Sequence, residues 1–317
     1  MTAVTSLDPR GLARDLASRL RARLQRGAAA PRIAAPPAQR ALSVALLMFS
    51  ALVLVLLVNL VGVSQVQFAT SQNTLYNQLR LALAQGATPI GPLTSTGDLV
   101  ALGTPLAVMG NARLGLDREV VVAGTTSAQT MVGVGQRIDT ALPCQAGTSV
   151  LYARSGAYGA IGAAWQKLQA GDTLTFTMGQ GSCSYRVTGI RVAGEQAPTP
   201  PTGTAGRLTL VTASGPSFVP TGVVRVDADL VGAGFTRPAV RFPTGALPDS
   251  HREFGIDGSQ LLPLVLLLEL TVALVFGSIT AWRRWSRIKT AIVFSPVGVA
   301  VILLTADSVN HLLPNLL

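Results

Sequence analysis

Thr209-Leu210-Val211-Thr212-Ala213 reads as one short β-strand, and the way it ends decides how the rest of the chain is understood. It stands in a region, from Leu99 onward, where Val, Thr, Leu and Gly recur in short runs. Such a pattern suits a small closed barrel of strands. The strand closes on alanine, whose methyl group cannot attack a carbonyl. Ser214 follows, but successive strand residues point to opposite faces, and a serine nucleophile needs a base within hydrogen-bond reach. The chain has only two histidines, His251 and His311, and both lie outside the barrel segment.

Upstream of that strand, further pieces fall in a recognisable order. Leu114-Gly115-Leu116-Asp117 is followed by Val120-Val121-Val122-Ala123-Gly124-Thr125-Thr126, then by Gly133-Val134-Gly135, Ala141-Leu142-Pro143 and Gly147. Tyr158-Gly159-Ala160, Leu168, Gly171-Asp172 and Tyr185-Arg186-Val187 come next. Over residues 98–232 this colinear set resembles the sortase family, especially the class E or housekeeping group. The resemblance implies a mainly β fold, a sortase-like closed β-barrel in an extracytoplasmic domain, and descent from a cysteine transpeptidase.

Against the family pattern three positions stand out. The signature strand of sortases reads Thr-Leu-x-Thr-Cys, with the cysteine as nucleophile, and here the place is Ala213. Before Tyr-Gly-Ala the family has Gly-His-Arg-Thr-Thr, whose histidine is the acid/base partner. This chain has Tyr152-Ala153-Arg154-Ser155-Gly156-Ala157, so Ala153 or Arg154 takes the histidine place. The family's arginine, which donates to the developing oxyanion, is expected near Val223. Arg225 is the candidate for a retained one, since a two-residue displacement keeps a side chain on the same strand face. An isolated strand arginine is also a common salt-bridge partner, and Gly171-Asp172 reads as a structural turn.

Composition points to the membrane. Hydrophobic residues make up 49% and charged residues 13%, an unusually apolar balance. Residues 42–63 carry no charge, and residues 260–281 carry only Glu269; about 20 such residues suffice to cross a bilayer. A shorter, proline-containing run at 290–306 is a third span, so two or three transmembrane helices are expected. The first run is too far from the N-terminus and lacks a small-residue cleavage site, which favours an uncleaved anchor. Residues 1–40 hold eight arginines against Asp8 and Asp15, and the loop 282–289 holds Arg283, Arg284, Arg287 and Lys289. The positive-inside rule places both in the cytoplasm and the segment between the first two spans outside. The expected location is therefore the cell membrane, multi-pass, with the main domain extracytoplasmic.

Those two topogenic segments hold 12 of the 25 basic residues behind the net charge of +10, so nucleic acid is not an expected partner. Arg14, Arg19, Arg21, Arg23 and Arg26, interleaved with leucines, form a candidate basic amphipathic helix on an anionic inner leaflet, and 27–40 is an Ala/Pro-rich linker. The expected domains are a basic cytoplasmic segment 1–40, the span 42–63, a stalk helix and linker 64–97, and the barrel 98–240. A linker 241–259, the span 260–281, the loop 282–289, the span 290–306 and a tail 307–317 complete the chain.

Cys144 and Cys183 both fall in the domain placed outside, where an oxidising compartment favours a disulfide. Closing that loop stabilises the domain by roughly 4 kcal/mol in the chain-entropy treatment. Two sulfurs without barrel histidines do not complete a zinc shell, so neither a metal nor a cofactor is expected. Glu269, some way into an apolar span, costs roughly 2.5 to 3.5 kcal/mol on insertion scales near the bilayer centre. It should be neutral or paired, with Asn59, Asp307 and His311 as candidate partners, or in contact with another membrane protein.

The function expected is that of a membrane-anchored, catalytically inactive sortase-like pseudoenzyme, a binding or scaffold module for cell-envelope proteins. Its expected partners are the lipid bilayer, an envelope protein or sorting-signal peptide, and an active sortase or other membrane protein reached through Glu269. One alternative is a sortase-type cysteine transpeptidase in inactivated or divergent form. Another is a membrane assembly component whose barrel is a spacer.

Overall fold

The computed structural model describes residues 53–94, 96–239, 242–243 and 246–317, with single positions at Gln39, Leu46 and Ser50. Apart from those single positions, the basic segment 1–40 and the first half of the 42–63 run lie outside the described residues. Leu52–Leu317 forms one unit, and the fold below is that unit.

Eight strands close into a barrel: β1 (Pro105–Asn111), β2 (Leu116–Ala123), β3 (Val134–Gln136), β4 (Gly147–Tyr152), β5 (Thr173–Met178), β6 (Gly181–Val192), β7 (Gly206–Ser214) and β8 (Gly222–Leu230). Their order around the barrel is β1-β2-β3-β4-β7-β8-β6-β5, and β5 returns to β1 through Ala107↔Met178 to Gly110↔Thr175. Two pairings are parallel, β2 with β3 and β4 with β7. Alternation is plainest in β5, where Leu174, Phe176 and Met178 face the core while the threonines between them are exposed, as a strand with one wet face requires. The core gathers Met109, Val121, Leu151, Trp165, Leu208, Leu210 and Val226. Phe176 meets Tyr185 edge to face at 5.5 Å, and the Cys144 N–H donates to the Tyr185 hydroxyl at 2.7 Å.

β7 does not alternate, because it is covered on both faces. Leu208 and Leu210 join the barrel core, while Val211 and Ala213 join a second, smaller cluster on the outside with Tyr152, Val223 and Leu316. A strand buried on two sides reads as a continuous apolar run. That is the physical reason the stretch 209–213 stands out in the sequence.

The segment expected as a stalk is helical, α1 (Ser64–Ala84), entered through a π-helical turn at Asn59–Val63. It lies along the barrel rather than standing clear of it. Gln72 accepts from the Val120 N–H at 2.7 Å and donates to Val132 O at 2.7 Å, and Phe68 and Leu79 are buried. Two short helices, α2 (Ser127–Val132) and α3 (Ile161–Trp165), lie between strands. Then come α4 (Leu261–Arg284) and α5 (Arg287–Leu312), which pack as a hairpin with Phe294 against Gly277.

Three helical stretches, Val53–Ala84, Gly258–Ala281 and Ile288–Leu312, are long and apolar enough to cross a membrane. The first and third meet the barrel at one point: Asn310 Nδ2 donates to Asn59 Oδ1 at 2.6 Å and to the Tyr158 hydroxyl at 2.8 Å. At the barrel's other flank a disulfide joins Cys144 to Cys183. Replacing both cysteines by alanine should lower the unfolding free energy by about 2–5 kcal/mol. Thermal unfolding of the detergent-solubilised chain, with and without reductant, checks this; equal midpoints would show that the bridge adds nothing.

Candidate functional site

The outer face of β4, β7 and β8 forms the candidate site. In register, Ala213 lies opposite Val223, Val211 opposite Arg225 and Thr209 opposite Asp227, so these six side chains share one face. Asp227 accepts from Thr209 Oγ1 at 2.8 Å and from Arg191 Nε at 2.5 Å. Ala213 is 1% exposed. Its cover is Leu316, fully buried, with Phe254 packed against the same cluster.

Arg225 shares a face with Ala213, as the two-residue displacement predicts, yet it is not free. Its Nη2 donates to both oxygens of Glu253, at 2.6 and 2.5 Å. An arginine held by a carboxylate is a poor oxyanion donor, because the carboxylate already takes the hydrogen bonds and offsets the charge.

Ala153 and Arg154 take different paths. Ala153 packs into the main barrel core. Arg154 is buried, and its guanidinium is held by oxygens alone: Ser127 Oγ at 2.6 Å, Ser127 O at 3.4 Å, Thr130 Oγ1 at 3.3 Å and the main-chain oxygen of Leu317 at 3.2 Å. The Tyr158 ring lies 5.2 Å beneath it, a cation–π contact strengthened by desolvation. No carboxylate side chain among the described residues is in ion-pair contact with it. Burial pulls its pKa down to about 10, which leaves it charged at neutral pH. Behind it, Gly162 lies so close to β7 that a Cβ there would sit 1.9 Å from Thr212 Oγ1; only glycine lets α3 approach.

Neither tyrosine of the site is a substitute base or nucleophile. Burial pushes Tyr152 up to about 12, with nearby Glu253 adding to it, and burial pushes Tyr158 up to about 12. Both stay neutral near pH 7.

The segment expected as a plain linker, 241–259, packs residues 251–254 onto the barrel, among them residues that the sequence offers no reason to single out. Besides Glu253 and Phe254 it brings His251 onto the barrel, although His251 lies outside the barrel segment in sequence. The Thr125 N–H donates to His251 Nδ1 at 3.2 Å, and Thr125 Oγ1 donates to His251 O at 2.7 Å. A main-chain N–H can only donate, so Nδ1 is the acceptor and the neutral ring carries its proton on Nε2. On its far side His251 lines an apolar cavity of about 310 Å³ with Leu99, Leu102, Ala123, Ile138 and Leu142.

Cys144 and Cys183 are spent on the disulfide, and no described cysteine is free. No group of three or more His, Cys, Asp or Glu among the described residues is arranged to hold a metal. Glu269 is exposed on α4 in a shallow depression with Val265, Leu268 and Val272, with no hydrogen bond or ion pair to a described residue. Asn59 is engaged by Asn310 instead, and His311 lies 3.7 Å from Asp307 within α5. Asp172 is used as the turn reading expects: it pairs with Arg113 at 2.6 Å and accepts the Gln169 N–H at 2.7 Å.

Among solved structures, similar chains are sortases. A Clostridium perfringens sortase D5 transpeptidase matches at 17% identity and a TM-score of 0.42, covering 51% of this chain and 99% of its own. Sortase A from Corynebacterium diphtheriae matches at 18% identity and a TM-score of 0.37, covering 51% and 84%. Clostridium perfringens sortase C, solved in an intermolecular complex with the C-terminal cell wall sorting signal motif, matches at 22% identity and a TM-score of 0.38, covering 55% and 90%. No family model matches the chain. No curated protein matches it either.

Residues 249–255 and the tail should loosen in acid. The His251 pKa is lowered from 6.5, mainly by burial, with Asp257 and Asp139 pulling the other way. A histidine depressed in the folded state binds its proton more readily when released. Its contribution to stability is therefore present above about pH 6.5 and lost as the pH falls below that value. Protection factors of segments 249–255 and 313–317, with exchange corrected for its intrinsic pH dependence, should fall from about pH 7.5 to about pH 5.5, and His251→Gln, which accepts but does not titrate, should abolish the step. Equal protection in the wild type at both values would refute the assignment.

Proposed function

We infer that the chain is a membrane-anchored, catalytically inactive sortase-like module that binds a cell-envelope protein or peptide on the outer face of its barrel. The observation that carries this reading is the state of the groove at the end of β7. Where sortases have their nucleophile stands Ala213, buried beneath Leu316. The two cysteines of the chain are paired with each other, and Arg225 is held by Glu253. What survives on the outer face of β7 and β8 is an apolar floor of Val211, Ala213 and Val223 flanked by hydrogen-bonding side chains, ingredients of peptide recognition.

The barrel, the Asn59 end of the first helix and the Asn310 end of α5 lie together, while the basic stretch between α4 and α5 lies at the other end of that hairpin. The positive-inside rule then places the barrel and the tail outside and the 282–289 loop in the cytoplasm. Glu269, exposed on α4, is the candidate contact for a second membrane protein, since a lipid-facing carboxylate is costly without a partner.

Purified protein should show no hydrolysis or transpeptidation of sorting-signal peptides, and Ala213→Cys should not restore it. A thiol there lacks a neighbouring base and a free oxyanion donor. Turnover by either protein, read by mass spectrometry of the peptide products, would establish the transpeptidase alternative instead. Impermeant maleimide on intact cells should label a cysteine placed at exposed Thr199 and spare one at Ser286; the reverse pattern would invert the topology. Glu269→Leu should leave insertion intact and weaken co-purification of a membrane partner by an amount matching an interhelical hydrogen bond of about 0.6 to 2 kcal/mol. Unchanged recovery of that partner would remove Glu269 from the interface.

A further inference from the structure

The groove is occupied by the chain itself. Beyond α5, Leu313 is extended and Pro314 cannot continue a helix, so the backbone turns out of the helix and runs across the face built by Ala213. Main-chain hydrogen bonds hold it there. The Asn315 N–H donates to Gly255 O at 3.1 Å, the Ser155 N–H donates to Leu316 O at 3.0 Å, and Arg154 Nη1 donates to Leu317 O at 3.2 Å. Two side chains add selectivity. Leu316 is fully buried among Tyr152, Val211, Ala213 and Val223, and Asn315 Nδ2 donates to Thr125 O at 2.6 Å and Arg252 O at 2.8 Å.

We propose that residues 313–317 are a tethered ligand, and that the exchangeable ligand of this face is a peptide of the same chemistry in the same turn, closed in the tail by the Leu317 N–H donating to Pro314 O at 3.1 Å, with an asparagine followed by a leucine anchor. This rests on the reading of the outer face as a binding site and names the ligand class that the site accepts. The floor left by Ala213 is part of the fit, because the leucine fills the space over its methyl group.

Arg154 gives the site its polarity. It is a buried cation whose acceptors are oxygens only, one of them supplied by the tail. A peptide that replaces the tail must deliver an oxygen to the same place, since an orphaned buried guanidinium hydrogen is costly. A carbonyl or carboxylate oxygen following the leucine meets that need, whereas a segment carrying a lysine or arginine there would set two cations together.

The occupant belongs to the same molecule. Asn310, two residues before the helix ends, is bonded to Tyr158 of its own barrel. The few residues from Leu312 to Leu316 can span only about 3.3 Å each, so the tail is delivered to the adjoining face and no further.

The experiment uses the full chain in detergent. Ala213→Cys combined with Leu316→Cys should crosslink on mild oxidation within one molecule, as read by mass spectrometry. A fluorescent peptide with the sequence of residues 311–317 should bind weakly to the wild type and at least about tenfold more tightly to Leu316→Asp, whose tail is ejected, the ratio reporting the fraction of open groove. Replacing the asparagine of that peptide by alanine, or its first leucine after the asparagine by aspartate, should weaken binding. Absence of the crosslink, or equal affinity of the two proteins for the peptide, overturns the proposal, provided that Leu316→Asp unfolds at the same temperature as the wild type. Should Leu316→Asp unfold earlier, Asn315→Ala serves in its place under the same criteria. Tight binding of the tail peptide by the opened protein without capture of any sorting-signal peptide supports the tethered ligand and overturns the partner class inferred above.

Discussion

A charged guanidinium with no carboxylate side chain beside it among the described residues sets the terms for this fold. Arg154 is buried after β4, and removing such a group from water is tolerated only when its hydrogens find acceptors. The acceptors come from α2, through Ser127 and Thr130, and from the far end of the chain, through Leu317. Residues separated by most of the barrel and by two long helices are thereby required to be in place together. The tail is bound by this need as much as by the leucine it buries.

Satisfying Arg154 from the tail constrains the helices in turn. A tail that meets the barrel requires α5 to end at the face where α1 begins, and the Asn59–Asn310–Tyr158 bonds show the two ends meeting. Since α4 departs from the barrel and α5 returns, the third hydrophobic stretch serves as more than an anchor. It is the strut that delivers residues 313–317. The linker 241–259 completes the enclosure by placing Glu253 on Arg225, Phe254 over the outer cluster and His251 on Thr125.

Much of this architecture is legible in the sequence where the cause is local. β5 alternates because one face is wet, and the run at 209–213 does not alternate because β7 is covered twice. The helices long and apolar enough to cross a membrane announce themselves by length and hydropathy, and two cysteines in a compartment taken as oxidising suggest their own pairing. What stayed hidden depends on single polar atoms meeting over long separations. Nothing about Glu253 in a Gly- and Pro-bearing linker points to Arg225, and nothing near Gln72 points to both Val120 and Val132. His251 looks remote from the barrel because its contacts are main-chain groups, which carry no sequence signature. One signal was available: Leu316 and Leu317 follow a candidate span and a proline, and two adjacent leucines beyond a helix need a surface to cover.

The same constraint limits how the groove can open. A tail that left its place would expose Leu316, leave Ala213 and Val211 uncovered and strip an acceptor from Arg154, so the open form is the minor one. Two-state exchange then makes a ligand's apparent affinity the intrinsic one multiplied by the open fraction. A weakly binding peptide would leave the tail seated. Only one that matches the leucine pocket and also supplies the missing oxygen recovers what the tail's departure costs. On the proposed binding role, discrimination arises from the competitor already in place: this face need not repel wrong peptides, because its own residues 313–317 outcompete them at the effective concentration that a short tether provides.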